Sequence, residues 1–268
     1  MDNHSGGMMA GLKGNFLKER MRRGEKVIGG WITLTDPIMG RIFSQVGFDF
    51  VMIDLEHSAI NQETLQTMLL MFEGTQSCPI VRVPGHDPVW VKWALDSGAE
   101  GILFPNVRTE REARQVVQMA KYPPQGIRGF FPRVASNLTT KMSEYMDGIN
   151  DRINVWIQIE DIQAVDHLDE LFSVEGVDAV LVGPADLSLS MGILFQWEHL
   201  EFQRAIQKIL ESGANHHLPV GYPADDTAEK ALSCLRQGFQ FVTTGMDSLL
   251  VQRAARDVLE EIKKGWEA

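Results

Sequence analysis

Short apolar, β-branched runs alternate with longer amphipathic stretches eight times along this chain, and few folds accommodate that alternation. The strand-like runs are "VIGGWITL" (27–34), "FDFVMIDLE" (48–56), "PIVRVP" (79–84) and "GILFPNV" (101–107), then "NVWIQIE" (154–160), "DAVLVGP" (178–184), "PVGYPA" (219–224) and "QFVTTGMD" (240–247). The stretches between them carry helix signals. "DPIMGRIFSQVG" and "DPVWVKWALDSG" open on Asp-Pro, a capping residue followed by a proline that suits the first helical position. "NQETLQTMLLMFEG", "TEREARQVVQMAKY", "TAEKALSCLRQG" and "LLVQRAARDVLEEIKKGW" are amphipathic, with caps or terminal glycines. In "VGFDF", "SGAEG" and "QGFQF" a glycine closes the helix just before the next strand, the turn chemistry of a repeating βα unit.

Eight such units in 268 residues predict a single (β/α)8 TIM barrel over 1–268, with 1–12 as a flexible N-terminal tail. The rival is an open doubly wound sheet, but no "GxGxxG" follows the first strand. The polar stretch 122–153 reads as a long loop with a short helix, of the kind that is functional or flexible.

A net charge of −11 without a basic cluster argues against nucleic acid and anionic membranes as partners. No apolar run approaches the roughly 18 residues needed to span a bilayer, and the first residues lack the basic start and apolar core of a signal peptide. Cys78 and Cys234 are too few and too far apart for a disulfide framework, so a reducing, cytoplasmic setting is expected.

In a (β/α)8 barrel the active site gathers where the strands finish. The strand ends deliver Asp54, Glu56 and His57, then Arg82, Gln158 and Glu160, Asp186 just past "VGPAD", and Thr243, Thr244 and Asp247. Strands buried on both faces should be continuously apolar, and charge there is costly unless paired or bound to metal. Glu160 and Asp186, from neighbouring strands, suit a hard divalent cation such as Mg2+ or Mn2+ with water completing its shell. Arg82 could grip a substrate carboxylate with two N–H groups. Taken singly, each of these residues could equally close the barrel through a structural ion pair; taken together on one face, they favour chemistry. No lysine ends a predicted strand, which argues against a Schiff-base mechanism. "GYPADDTAEK" and "TTGMDSLL" hold one glycine each, so a phosphate cradle after strands 7 and 8 is not indicated, and a carboxylate ligand fits better.

The motifs "DFVMIDLEH", "VRVPGHDP", "ALDSGAEGILFPNV", "YPPQGIRG", "IQIE" and "VEGVDAVLVGPADLSLSMG" resemble the HpcH/HpaI aldolase family, in order and from about residue 12 to 262. The resemblance implies a class II, metal-dependent aldolase that reversibly cleaves 4-hydroxy-2-oxo acids into pyruvate and an aldehyde. It implies Glu160 and Asp186 as ligands of Mg2+ or Mn2+, with Co2+ as a further fit and no organic cofactor. Arg82 would bind pyruvate and steady its enolate, with Gln158, Gly183, Pro184 and Ala185 beside it. His57 would do acid–base chemistry, oriented by Asp96; the base is either this histidine or a metal-bound hydroxide. It also implies a hexamer, a trimer of dimers that exchange their last helix.

The chain departs from the family pattern after "GIRG", in "FFPRVASNLTTKMSEYMDG", and at the end of strand 7, in "GYPADD". Both are expected to border the aldehyde pocket, where Phe130, Phe131 and Tyr222 either narrow the space or serve packing. Arg128 could bind a distal carboxylate or phosphate, or could anchor its loop. His86 is expected in a surface or capping role, with the site mouth as the alternative, His216 and His217 at a helix end, and Trp90 and Trp93 in the core or at an interface. The stripe Val251, Ala254, Val258, Ile262 and Trp266 on the final helix docks either on its own barrel or on a partner. Two other functions fit the residues. One is a synthase or lyase on a related enolate, such as a citrate-like condensation or oxaloacetate decarboxylation. The other is a non-catalytic binder of keto acids.

Overall fold

The computed structural model describes residues 12–224 and 227–266. Eight parallel strands close into a barrel in chain order: β1 (Val27–Ile32), β2 (Phe50–Asp54), β3 (Cys78–Arg82), β4 (Gly101–Phe104), β5 (Asn154–Ile159), β6 (Ala179–Val182), β7 (Val220–Pro223) and β8 (Phe241–Met246). The helices are α1 (Leu12–Arg22), α2 (Ile38–Val46), α3 (Gln62–Leu70), α4 (Pro88–Asp96), α5 (Glu110–Ala120), α6 (Met142–Met146), α7 (Ile149–Arg152), α8 (Ile162–Val165), α9 (Leu168–Phe172), α10 (Pro184–Ser190), α11 (Leu200–Asn215), α12 (Ala228–Gln237) and α13 (Asp247–Trp266). All eight predicted strands are present, each within a few residues of its expected bounds.

The local signals act as read. Asp87 caps α4 through Val89 N (2.8 Å) with Pro88 behind it. Thr109 and Glu112 form a reciprocal capping box on α5. Gly47 ends α2 at φ 103°, a left-handed conformation that costs glycine little.

Two cores result. Outside the barrel, strand side chains such as Val51, Ile53 and Val81 meet the helices. Inside it, Phe50, Trp156 and Phe241 pack as an aromatic trio with centroids 4.8–5.9 Å apart. Small residues leave room for them: a Cβ on Gly221 would lie 2.1 Å from the Phe241 ring, and one on Gly29 would lie 2.3 Å from Phe50.

Three features differ from the sequence reading. The expected tail, apart from Leu12, lies outside the described residues. From Leu12 the chain is helical, because Leu17 and Met21 of α1 enter the inner core at the N-terminal mouth of the barrel. Buried Lys13 and Lys18 there donate to the carbonyls of Phe72 (2.9 Å) and Ile153 (2.6 Å). The 122–153 stretch contains two short helices, α6 and α7. It joins the end of α5 to the start of β5, so it lies at the N-terminal end of the barrel. Finally, α13 does not dock along its own barrel: every residue from Val251 to Trp266 is exposed.

Candidate active site

The C-terminal ends of β2 and β3 build the first part of the site. The register pairs Asp54 with Arg82. Buried Asp54 accepts from Arg82 Nε at 2.9 Å and Nη2 at 2.5 Å, and from the backbone amides of Glu56 (2.9 Å) and His57 (3.3 Å). Burial opposes ionisation of Asp54, but the Arg82 bonds, its charge and the two amides outweigh it, and the carboxyl sits below its ordinary range. Glu56 Oε2 lies 3.0 Å from Arg82 Nη1, close in charge but off the hydrogen-bond line. Burial lifts the Glu56 pKa, and Arg82 and His57 only partly offset it.

Trp31 closes the other side of the arginine. Its ring lies 4.8 Å from the guanidinium carbon, and its Nε1 donates to Asp54 Oδ2 at 3.4 Å. The pairing of β1 with β2 runs unbroken from Gly29 to Ile32, and the register shift against β8 puts its extra residue in β8, between Thr243 and Met246. Trp31 was not among the residues expected from sequence. The signal was present in "GGW": the glycine–tryptophan spacing of two puts Gly29 and Trp31 on the same inward face.

The ends of β5 and β6 build the second part. Glu160 is buried, and Gln158 Nε2 donates to its Oε2. Burial, with Glu56 and Asp186 as like-charged neighbours, pushes the Glu160 pKa up to about 7; the Asn106 backbone and Arg82 pull it down only in part. Asn106, at φ 54°, was also missed by sequence; an asparagine just past a strand is the residue type that tolerates this conformation. Asp186 is exposed in the first turn of α10, behind Pro184 at its start. Gly183 leaves room for Glu160 and Gln158: a Cβ there would stand 2.5 Å from Glu160 Oε2 and 2.7 Å from Gln158 Nε2. Gln158 Oε1 is buried without a partner.

A cavity of about 410 Å³ joins both parts, and Trp31, His57, Arg82, Gln158, Gly183, Pro184, Ala185 and Asp186 all line it. A second cavity of about 420 Å³ surrounds Lys13, Glu100 and Tyr145 at the opposite end, away from the strand termini. Among the described residues no group of three or more His, Cys, Asp or Glu is placed to hold a metal alone. The oxygen donors Glu160 and Asp186 nevertheless fit a hard divalent cation that takes its remaining ligands from substrate and water. Burial, with the charges of Glu56 and Asp186 added, disfavours the Glu160 carboxylate, and such a cation would favour it.

His57 lies at the mouth, 66% exposed, with Nε2 3.7 Å from Glu56 Oε2. Asp96 does not orient it within this chain. It is the last residue of α4, at the N-terminal end of the barrel, and pairs with Arg128 Nη2 at 2.7 Å. The same geometry corrects the acceptor-pocket expectation: Arg128, Phe130 and Phe131 lie in the N-terminal stretch, away from the strand ends of their own chain. Arg128 serves as a loop anchor, stacked 4.4 Å over Tyr122. Tyr222 is a packing residue, 4.9 Å from Phe239. Thr243 is buried beside the cavity. Asp247 accepts from Thr33 and Leu34 and ties β8 to β1. His86 binds the Pro105 carbonyl at 2.7 Å, His216 pairs with Asp169 at 3.2 Å, and Trp90 and Trp93 meet edge to face at 5.2 Å.

Known proteins of similar sequence and fold give the family. The family model described as HpcH/HpaI aldolase/citrate lyase matches residues 28–254. A 5-keto-4-deoxy-D-glucarate aldolase of Escherichia coli O6:H1 is 35% identical over 250 residues, covering 93% of this chain and 97% of the relative. The crystal structure of an HpcH/HpaI aldolase/citrate lyase family protein from Burkholderia cenocepacia J2315 superposes with a TM-score of 0.87 at 31% identity, covering 93% of this chain and 99% of that one. The structure of the citrate synthase SbnG gives a TM-score of 0.82 at 31% identity, covering 94% and 99%.

Proposed function

Because this chain belongs to the HpcH/HpaI aldolase/citrate lyase family, we propose that it is a divalent-metal-dependent aldolase that reversibly cleaves 4-hydroxy-2-oxo acids to pyruvate and an aldehyde. The observation that carries this reading is the buried Glu160, in the field of Glu56, Asp186 and Arg82, with Gly183 and Gln158 between it and the cavity that Arg82 and Asp186 line. A bound Mg2+ or Mn2+, held by Glu160 and Asp186, would act as a Lewis acid on the 2-oxo acid and favour its enolate.

The chain's own residues account for the rest. A guanidinium carries five N–H groups; Asp54 takes two of those of Arg82, and Glu56 faces a third. One N–H on each terminal nitrogen is left to meet the substrate carboxylate or the developing enolate oxygen. The unpartnered Gln158 Oε1 is an acceptor waiting for a ligand donor or a cation-bound water. His57, at the mouth, takes the proton of the 4-hydroxyl as the bond between C3 and C4 breaks. The bonding pair stays on C3 as the pyruvate enolate, C4 leaves as the aldehyde carbonyl, and a proton then returns to C3. The indole of Trp31 keeps water from one face of Arg82.

The same reading takes the enzyme to be cytoplasmic and to assemble as a hexamer, a trimer of dimers that exchange α13. The exposed stripe Val251, Val258, Ile262 and Trp266 supports this, as does the exposed row Ile38, Ile42 and Val46 on α2. Asp96 could then serve a His57 only from a second copy. Among the described residues no helix is long and apolar enough to cross a membrane.

Retro-aldol cleavage of a 4-hydroxy-2-oxo acid, followed by pyruvate release, tests the proposal. Activity with Mn2+ that is abolished by EDTA and restored by metal is expected; activity indifferent to chelation sinks the metal role. The similarity to the citrate synthase SbnG favours one second reading, a citrate-like condensation on the same enolate. Turnover with oxaloacetate and a second acceptor, but none with 4-hydroxy-2-oxo acids, would select it.

A further inference from the structure

Asp247 is a strand-end acid that no step of the proposed cleavage uses, yet it is fully buried. Both of its oxygens are engaged. Oδ1 accepts from Thr33 N (3.0 Å), Thr33 Oγ1 (2.8 Å) and Ser248 N (2.8 Å), and Oδ2 accepts from Thr33 N (3.1 Å) and Leu34 N (2.9 Å). An asparagine could not fill this place, because its NH2 would face an N–H whichever way it turned. The extra residue of β8 falls between Thr243 and Met246, with Gly245 at φ 72°. Met246 then pairs with Trp31, and Asp247 follows beside Thr33.

These bonds join two walls of the active-site cavity. Trp31 stands two residues before Thr33, Leu249 stands two residues after Asp247, and both line the cavity. The Trp31 ring lies 4.8 Å from the guanidinium carbon of Arg82, and its Nε1 donates to Asp54, the partner that fixes the plane of that guanidinium. Resting on the aldolase reading, we infer that Asp247 is a positioning residue for the reaction: it locks the end of β1 to the start of α13 and so keeps the Trp31 ring seated on Arg82. The two-pronged grip of Arg82 on a substrate carboxylate needs that plane held. A carboxylate that only closed the barrel would cost stability when replaced and leave substrate binding alone.

Exchange of the pyruvate methyl protons in D2O, on the Mn2+-loaded full chain, gives KM and kcat without an aldehyde. Asp247→Asn should raise KM by about three- to tenfold, the worth of an aromatic face on a guanidinium, with kcat within about twofold of wild type. Thr33→Val removes the hydroxyl donor and keeps both backbone amides, so it should raise KM in the same direction by less; it carries the test if Asp247→Asn does not fold. Asp247→Asn combined with Trp31→Leu should have a KM within about twofold of Trp31→Leu alone, because the ring through which Asp247 acts is gone. A wild-type KM in the folded variant, a loss confined to kcat or to Tm, or two rises in KM that multiply in the double variant overturns the inference and leaves the aldolase reading standing. No exchange by the wild-type chain removes the aldolase reading and this inference with it.

Discussion

Replacing Asp54 with asparagine tests how Arg82 is held. The carboxylate is 1% exposed and accepts from Arg82 Nε, Arg82 Nη2, two backbone amides and Trp31 Nε1. Asparagine keeps the shape but offers one acceptor oxygen and no charge, and its NH2 must face a donor. Breaking one partner out of a buried ion pair costs roughly 3–5 kcal/mol. Glu56, 3.0 Å from Nη1, keeps part of the arginine's compensation, so the lower end, about 3 kcal/mol, is expected. For a chain of this size that corresponds to a Tm lower by roughly 6–12 °C. The loss should also depend on pH with a defined sign. The Asp54 pKa is depressed in the folded chain, so its contribution is present above the ordinary aspartate range and lost as pH falls below it. The deficit of Asp54→Asn should therefore be full at neutral pH and shrink toward acid. Calorimetry across pH gives the stability, and cleavage kinetics should show kcat/KM lower by at least about a hundredfold, because the guanidinium loses its fixed plane. A variant with wild-type Tm and wild-type kcat/KM would refute the role assigned to this pair.

Glu160→Gln should abolish the thermal stabilisation by Mn2+ as well as turnover; a retained metal-induced Tm shift would show that Glu160 is not a ligand. Without metal, the folded chain keeps the Glu160 proton up to about pH 7, while the unfolded chain loses it near 4.5. Stability relative to Glu160→Gln should therefore fall across that window, by up to about 3 kcal/mol, and the Mn2+-induced Tm shift should be larger at pH 8 than at pH 6; a pH-independent difference contradicts the burial argument. Gly183→Ala puts a methyl 2.5 Å from Glu160 Oε2, so metal affinity should drop by roughly 10–100-fold with the barrel intact by circular dichroism; unchanged affinity would mean the close approach is dispensable. Trp31→Phe should keep most of the affinity for pyruvate, and Trp31→Leu should raise KM several-fold more than it lowers kcat, because the ring face on Arg82 contributes about 0.5–2 kcal/mol; equal kinetics for the two variants would remove the stacking role.

The barrel was legible because each strand is buried on both faces and therefore reads as an apolar run. "FVMID" and "NVWIQI" are unmistakable for that reason, and glycines such as Gly47 mark the returns. The candidate site was legible where a strand end broke that rule: Arg82 and Glu160 are charges closing apolar runs, and each lies in the other's field at the strand ends. What escaped lies off that rule. α1 is polar, holds a glycine, and is stabilised by lysines bonded to distant carbonyls, so it carries little periodic signal. Trp31 stands two residues after Gly29 on the inward face, but nothing in "GGW" says that its ring will cover an arginine from another strand. Asp96 and Phe130 were expected near the strand ends because motif order says nothing about which end of the barrel a segment reaches. The chain direction does: a segment that leads into a strand lies at the opposite end from one that leads out of it. The exposed face of α13 was visible as a stripe, but the stripe did not say which barrel it would meet.

Exchange of the pyruvate methyl protons with D2O, followed by proton NMR, tests most directly whether this cavity enolises a bound 2-oxo acid, and it needs no knowledge of the aldehyde. The loss of the methyl signal should require Mn2+ or Mg2+, stop with EDTA, and vanish in Glu160→Gln and Arg82→Ala. A methyl signal that decays equally with the metal chelated, or with Glu160 replaced, would contradict the account.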